Sequence, residues 1–541
     1  MARWFVDRPH ERGIPSVSLR RLLPEARFIG CPDWEVSGCT DDHRRLDPGQ
    51  VFVATRSPRY DGHAYVGEAL ERGAAGVIVE EPCEAAGRLQ VVVADAHVAL
   101  GRLCHALAGD PSRRLALLGV TGTFGKTITS LFVRSILEAA GLRSGLIGGL
   151  IWSDGTANRP LGGGIGDGSD GRVRPAPPGG PAHPDPWAAD WSAKRTLRPA
   201  GLASILATMV DQRCVASVFE ISAAALEARC LEGITFQAAV VTDVGLAHGQ
   251  PAELAIENRR KKAKLFQKIK PGGLAVVNAD DPNAEILGGV NLDARRVSFG
   301  LEDPSKVDIS ARIARHDRTG SRFFLHGFDR AATVALRLVG PRQVRCALAA
   351  AALAWGLRIK LDAVVAGLEN VASVDGFLEA VDEGQDFEVR IDGAKTAETL
   401  EQALSALRVI SAGRVVCLLS AEGNTDRQSR RALAQVAEQS ADRVILTLGS
   451  PRGDDPKQLF DDLLGGFHRP DQVGAQPDRR RAIEIALAEA QPGDAVLIAG
   501  KGRETYQIFA DRVVPFDDFA VARDCLRGGR DDKTHLAYRT A

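Results

Sequence analysis

Residues Leu115–Gly141 read LALLGVTGTFGKTITSLFVRSILEAAG, an apolar run that passes through a glycine-rich turn into Lys126-Thr127 and then a helical pattern. Strand, turn and helix in that order make a phosphate-binding loop. Gly119, Gly122 and Gly125 suit a tight turn in which backbone N–H groups close on an anion. The helix that follows aims its positive end at the same point. In such a loop Thr123 lies against the phosphates, the Lys126 ammonium reaches the β- and γ-phosphates, and the Thr127 hydroxyl ligates Mg²⁺. Ile128, Leu131, Phe132, Ser135 and Ile136 recur at helical spacing, and Gly141 is placed to stop the helix. Five residues separate Gly119 from Gly125, one more than the usual spacing of such loops, so the strand and helix on either side carry the reading.

Outward from this loop, short apolar runs alternate with helical stretches along the chain. Before it, VFVAT at 51–55, AGVIVE at 75–80 and LQVVVAD at 89–95 are separated by helical patterns over Val66–Arg72 and Val98–Leu107, which predicts a small α/β domain over 1–113. After it, SVFEIS (217–222), AAVVTDV (238–244) and GLAVVNADD (273–281) read as buried parallel strands of a central domain over 114–384. RVVCLLS (414–420), RVILTLGS (443–450) and AVLIAGKG (495–502) predict a Rossmann-like domain over 385–541. Gly162–Pro186 holds eight Gly and six Pro in 25 residues, a composition that buries little apolar surface. The expectation is a flexible surface insertion over roughly 155–193.

Composition narrows the class. The 541 residues are too many for one core, and 45% hydrophobic with 25% charged residues are globular values. A formal net charge of −1 gives no basic surface of the kind nucleic acid or anionic membrane selects. Nine cysteines lie singly, without a CxxC pair, as in a reduced cytoplasmic protein. MARWFVDRPHERG is broken by charge and no long apolar run follows, so neither a signal peptide nor a membrane span is expected.

In their order these segments resemble the Mur ligases, ATP-dependent amide synthetases of peptidoglycan precursor assembly, and most closely the branch that adds the third residue of the peptide. The resemblance covers nearly the whole chain outside the Gly/Pro segment. TDDHRRLDPGQVFVA and YDGHAYVGEALERGAAGVIVE are similar to the family's entry to the UDP-sugar site, and GVTGTFGKT to its phosphate loop. Glu220 in EISAAAL and His248 in VTDVGLAHG stand where the family has metal ligands. Lys262, 14 residues after His248, stands where it carries a carbamate that helps hold the metals. Asp392 and Asp426 match nucleotide-side positions, and Arg452 in SPRGDDP with Lys501 and Glu504 in AGKGRETYQ match the amino-acid site.

What the resemblance implies is a three-domain α/β fold. Its reaction is the joining of an amino acid to UDP-MurNAc-L-Ala-D-Glu through an acyl phosphate, by a cytoplasmic monomer using ATP and Mg²⁺. The catalytic set is then Lys126, Glu220, His248 and Lys262, and the metal set Thr127, Glu220, His248 and Lys262. Gly122, Thr123, Gly125, Lys126 and Thr127 hold phosphate.

Departures from the family pattern concentrate on the nucleotide side. Phe124 replaces an asparagine inside the loop and Ala224 a histidine after the metal glutamate, while Gln343 and Cys346 replace two asparagines. Phe377 stands for an arginine, Gly393 and Lys395 for a tyrosine and a histidine, and EGNTD at 422–426 lacks an arginine before Asp426. Ser450 replaces an asparagine before Arg452, and His43 a serine in the first domain. Three readings stay open: a working ligase of this reaction, a paralogue that kept the fold and binds with weak or no catalysis, or a ligase acting on a different carboxylate and amine.

Overall fold

The computed structural model describes residues 16–537 apart from 31, 58–59, 85–88, 150, 161–197, 244–251 and 282–292. Contacts divide the chain into two units, the first comprising Met1–Val244, Glu257–Ile309 and Ala349–Gly367, the second Gly245–Ile256, Ser310–Leu348 and Leu368–Ala541.

The first unit is built on two main sheets. Arg27–Ile29 (β1), Cys39–Thr40 (β2), Val51–Val53 (β3), Gly76–Val79 (β4) and Gln90–Val92 (β5) line up as β1-β5-β4-β3-β2. Against them packs helix Ala96–Leu107 (α1), capped by the Asp95 carboxylate. The second sheet is built on Ala116–Thr121 (β6), Ser144–Ile147 (β7), Ile151–Ser153 (β8), Asn158–Pro160 (β9), Ala216–Glu220 (β10), Phe236–Val241 (β11), Ile269–Asn278 (β12) and Ala294–Gly300 (β13). Its order is β9-β8-β7-β10-β6-β11-β12-β13, parallel from β7 to β13. All six residues of β6 and all six of β11 are buried, which is why both read as unbroken apolar runs: a parallel sheet covered on both faces has no polar side. Loop 122–125 leads from the end of β6 into helix Lys126–Ala139 (α2), and Ala252–Gln267 (α3) leads into β12.

Two details differ from expectation. Gly119 lies inside β6, where an added Cβ would meet Ile221, Leu265 and Phe236 at 3.0–3.2 Å, so it is a packing glycine and only Gly122 and Gly125 make the turn. Residues 158–160 belong to the sheet: β8 and β9 pair antiparallel around a turn over 154–157, in which the Asp154 carboxylate accepts from the Thr156 and Ala157 N–H groups. The rest of the Gly/Pro-rich segment lies outside the described residues.

The second unit begins with an antiparallel meander, Ile309–Asp317 (β14), Gly320–His326 (β15) and Ala332–Leu336 (β16). Its main sheet comprises Glu379–Ala380 (β17), Glu388–Asp392 (β18), Val415–Ala421 (β19), Arg443–Leu448 (β20), Gly474–Ala475 (β21) and Ala495–Ala499 (β22). The order is β17-β18-β22-β19-β20-β21, parallel except at β17. Helices Ala397–Ile410 (α4) and Arg427–Ser440 (α5) pack on one face of this sheet and Arg479–Glu489 (α6) on the other. Each parallel strand therefore delivers the loop after it to the carboxyl edge of the sheet, where open α/β sheets bind ligands.

Candidate active site

Gly122 takes φ +154° and an added Cβ there would lie 2.0 Å from Thr242 Oγ1; Gly125 takes φ +74° at the cap of α2. The two glycines fold the loop so that Lys126 Nζ turns back onto the Gly122 and Thr123 carbonyls, at 2.9 and 3.2 Å. Thr127 Oγ1 donates to Glu220 Oε2 at 3.0 Å, and the same carboxylate oxygen accepts from Gly149 N at 3.3 Å. A hydroxyl from the first turn of α2 and a carboxylate from the end of β10 thus meet, two hard oxygen donors of the type Mg²⁺ selects. Among the described residues no three His, Cys, Asp or Glu side chains form a complete cation cage. His248 lies outside the described residues.

Burial separates the basic run on α3. Arg260 and Lys264 are exposed, and Lys261 pairs with Glu227 and Glu257 at 3.1 and 2.8 Å. Lys262 is buried and its Nζ donates to Thr123 Oγ1 at 2.5 Å, against the phosphate loop. Desolvation pushes its pKa down to about 8, with Asp243 opposing the shift and Lys126 adding to it. One group of this site was not singled out from the sequence. Asp243, just past β11, accepts from Thr123 N at 2.9 Å and Phe124 N at 3.4 Å, pinning the loop. Its signal was the polar residue that ends the apolar run AAVVTDV beside the loop-bearing strand.

A second cluster gathers in the second unit, at the carboxyl edge of its parallel strands. Lys395 Nζ donates to Glu504 Oε1 at 2.6 Å and lies 3.8 Å from Glu422 Oε1, while Arg452 Nη2 lies 4.0 Å from Glu422 Oε2. Arg452 is held at φ +58°, its N–H donating to the Ile508 carbonyl at 2.8 Å, so its side chain projects from a fixed turn. Lys501 is buried and donates to the Tyr506 carbonyl. Asp392 is buried at the end of β18, accepts from Leu378 N at 2.8 Å, and is pushed up to about 7 by desolvation. Asp426 caps α5, accepting from Ser429 N at 2.8 Å and Ser429 Oγ at 2.6 Å. The structure thus brings Arg452, Lys501 and Glu504 to one edge and commits Asp426 to a helix end. Phe377, at the arginine position, is 40% exposed.

In the amino-terminal sheet, Asp42 takes the Arg44 guanidinium through Nε at 3.0 Å and Nη2 at 3.1 Å. Arg198 Nη1 lies 3.6 Å from Asp41. Asp41 and Arg198, with Thr40, Arg45 and Gln50, line a small pocket beside α1. His43 stacks on Tyr65 at 4.2 Å and its Nε2 lies 3.5 Å from Glu68 Oε2, so the residue in place of serine is part of an aromatic pile.

Comparison with known proteins follows this geometry. The chain is 32% identical over 502 residues, 92% of its length and 96% of the relative's, to the UDP-N-acetylmuramoyl-L-alanyl-D-glutamate–2,6-diaminopimelate ligase of Syntrophomonas wolfei. Family models for the Mur ligase middle domain and the Mur ligase glutamate ligase domain match residues 120–354 and 378–502. The chain belongs to the Mur ligase family. This Mur ligase is also 34% identical, over 91% of its length and 94% of the relative's, to the UDP-N-acetylmuramyl-tripeptide synthetase of Roseiflexus sp. strain RS-1. Its fold superposes on a solved diaminopimelate ligase of the same name as the first relative with a TM-score of 0.65 at 24% identity, covering 95% of this chain and all of that one. The MurF ligase of Thermotoga maritima, solved with ADP, gives 0.53 at 15% identity, over 92% and 98% of the two chains. The α/β Mur ligase fold with large, mostly parallel sheets read from the sequence is thus the observed one. Among the described residues no helix is long and apolar enough to cross a membrane.

Proposed function

We infer that this Mur ligase joins an amino acid to UDP-MurNAc-L-Ala-D-Glu with hydrolysis of ATP to ADP and phosphate. In the first step a substrate carboxylate oxygen attacks the γ-phosphorus, and ADP leaves. In the second the amine nitrogen attacks the acyl carbon, phosphate leaves and the nitrogen gives up a proton. The observation that carries this reading is the loop in which Lys126, Thr127 and Glu220 lie within hydrogen-bond distance of one another or of the loop's own carbonyls. Those residues fit a nucleotide triphosphate and its Mg²⁺. A Mg²⁺ ion supplies positive charge against the transferring phosphoryl oxygens. Thr127, Glu220 and His248 would hold it.

Lys126 turns away from the Gly122 and Thr123 carbonyls to meet phosphate, its charge opposing that which builds on the γ-oxygens. Lys262, whose lowered pKa leaves a good fraction of neutral amine near pH 8, is chemically ready to add CO₂ as a carbamate and release a proton, which turns a cation into an oxygen ligand. Arg452 would take the amino acid's carboxylate. On this reading the protein works with its substrates in the cytoplasm, as a monomer.

The second reading, a binding protein without catalysis, has its own observation: Asp426 is spent on a helix cap and Glu504 on Lys395, both at positions assigned to ligands. Release of ADP is the deciding measurement, with UDP-MurNAc-L-Ala-D-Glu, Mg-ATP and a panel of amino acids. Amino-acid-dependent ADP formation that falls at least a hundredfold in Lys126→Ala supports the ligase. ATP binding without ADP formation from any amino acid supports the second reading.

A further inference from the structure

Two of the buried carboxylates in the carboxyl-edge region of the second unit are held in very different ways. Asp518 is fully buried and saturated: Arg479 donates to both its oxygens at 2.7 Å, and the same guanidinium reaches Ser420 Oγ and the Ala499 carbonyl at 3.0 and 3.1 Å. That is a structural ion pair, with every polar atom answered. Glu422, the residue after β19, is 7% exposed, yet neither of its carboxylate oxygens accepts a hydrogen bond, and Oε2 of Glu504 is equally without a donor. The nearest cations stand off, Lys395 Nζ at 3.8 Å and Arg452 Nη2 at 4.0 Å. Three carboxylate oxygens without donors therefore sit together among the loops that leave β18, β19, β20 and β22.

A buried carboxylate without donors is costly unless something brings them. An ammonium group carries three N–H donors and no acceptor, the complement of three vacant acceptor oxygens. The cations already present do not supply those donors as they stand, because Lys395 is committed to Glu504 Oε1 at 2.6 Å, Lys501 donates to the Tyr506 carbonyl, and Arg452 Nη2 stands 4.0 Å away. Burial raises the Glu422 carboxyl pKa, with Lys395 pulling it back, so the group is one whose charged form an arriving cation would favour.

We propose that Glu422, with Glu504 beside it, receives an ammonium group of the incoming amino acid and so determines which amine this ligase accepts. The proposal rests on the ligase reading for its reaction but not for its binding. Arg452, 4.0 Å from the same carboxylate, is placed to take the carboxylate of the same molecule, and the pair reads the zwitterion as a unit.

The test is equilibrium binding of L-lysine and diaminopimelate, each with its N-acetylated form, to the full-length protein and to Glu422→Gln and Glu422→Asp. Melting temperature is followed in each variant. The expected result is that at least one diamino acid binds and that acetylation weakens it. Glu422→Gln should weaken it at least tenfold while Glu422→Asp retains part of the affinity, with melting within a few degrees of wild type. Unchanged affinity in Glu422→Gln, equal binding of the acetylated compound, or no binding of either diamino acid at millimolar concentration overturns the proposal. In the ADP-release assay the Gln variant should raise KM for the amino acid and leave KM for ATP alone. Binding without turnover would sink the ligase reading and spare this one; turnover with an unchanged amino-acid KM would do the reverse.

Discussion

On α3 Lys262 is buried with its Nζ against the phosphate loop, and its environment follows from where the helix delivers it. Neighbouring Lys261 spends its charge on two surface glutamates, whereas Lys262 Nζ touches Thr123 Oγ1. From sequence the run was indistinguishable from a solvated helix face, and only the 14-residue interval from His248 raised this lysine above its neighbours. A lysine kept partly neutral near pH 8 is a competent partner for CO₂. With ¹³C-bicarbonate, the wild-type protein should show a carbamate resonance that is missing from Lys262→Met, and the variant should lose at least a hundredfold in ADP formation. A spectrum identical in the two proteins would remove the carbamate from the mechanism. Thr127 offers a second residue-level check. Thr127→Val keeps the shape of the side chain but removes the donor to Glu220 and the metal oxygen. The Mg²⁺ concentration needed for half-maximal ADP formation should rise at least tenfold, with the amino-acid KM unmoved.

At the scale of elements, the loop and the helix it starts show which glycines matter and for what. Gly122 at φ +154° faces Thr242 Oγ1, so alanine there has both a forbidden backbone and no room. Gly122→Ala should abolish nucleotide binding measured by calorimetry. Gly119→Ala meets only side chains at 3.0–3.2 Å and should cost about 1–3 kcal/mol of stability, read from denaturant midpoints, with nucleotide affinity kept. The reverse outcome, a stable Gly119→Ala protein that no longer binds nucleotide, would return Gly119 to the turn. These two residues also mark where sequence reading stops. The apolar runs of β3, β4, β6, β10, β11, β12, β19, β20 and β22 were visible because parallel strands covered on both faces must be continuously apolar. The hairpin β8–β9 and the meander β14–β16 were not recognised, because edge and antiparallel strands carry polar residues on one face and here include Arg and Asp. In the candidate sites, side chains tied to a motif were legible by register, whereas Asp243 and Glu422 acquire their roles from strand ends brought together by the sheet order. Asp426, legible as a ligand position, turns out to cap a helix, a use that its place before an amphipathic run equally foretells.

For the whole molecule, two buried groups give stability an unusual pH dependence. Asp392 has a folded-state pKa of about 7 against an ordinary 3.8. Between those values the folded chain holds a proton that the unfolded chain has released, so its contribution is most favourable below about pH 4 and is lost as pH rises through 7. At ~1.4 kcal/mol per unit the span is up to about 4 kcal/mol. Lys262 acts in the other direction and at higher pH. Its folded pKa of about 8 lies below the ordinary 10.5, so the unfolded chain binds the extra proton and stability gains as pH rises from 8 to 10.5. The two effects occupy separate windows in separate units, and single variants should isolate each. Relative to wild type, Asp392→Asn should be more stable at pH 8 by one to a few kcal/mol and converge with it near pH 4. Lys262→Met should be more stable near pH 7, with the difference closing toward pH 10.5. Denaturant midpoints across pH 4–10.5 read both. A difference between Asp392→Asn and wild type that does not change between pH 4 and 8 would mean that Asp392 keeps its charge in the folded protein. The carboxylate at the end of β18 would then have to be held by a cation rather than by a proton, and Arg342, whose charge favours its ionised form, would be its partner in the folded state.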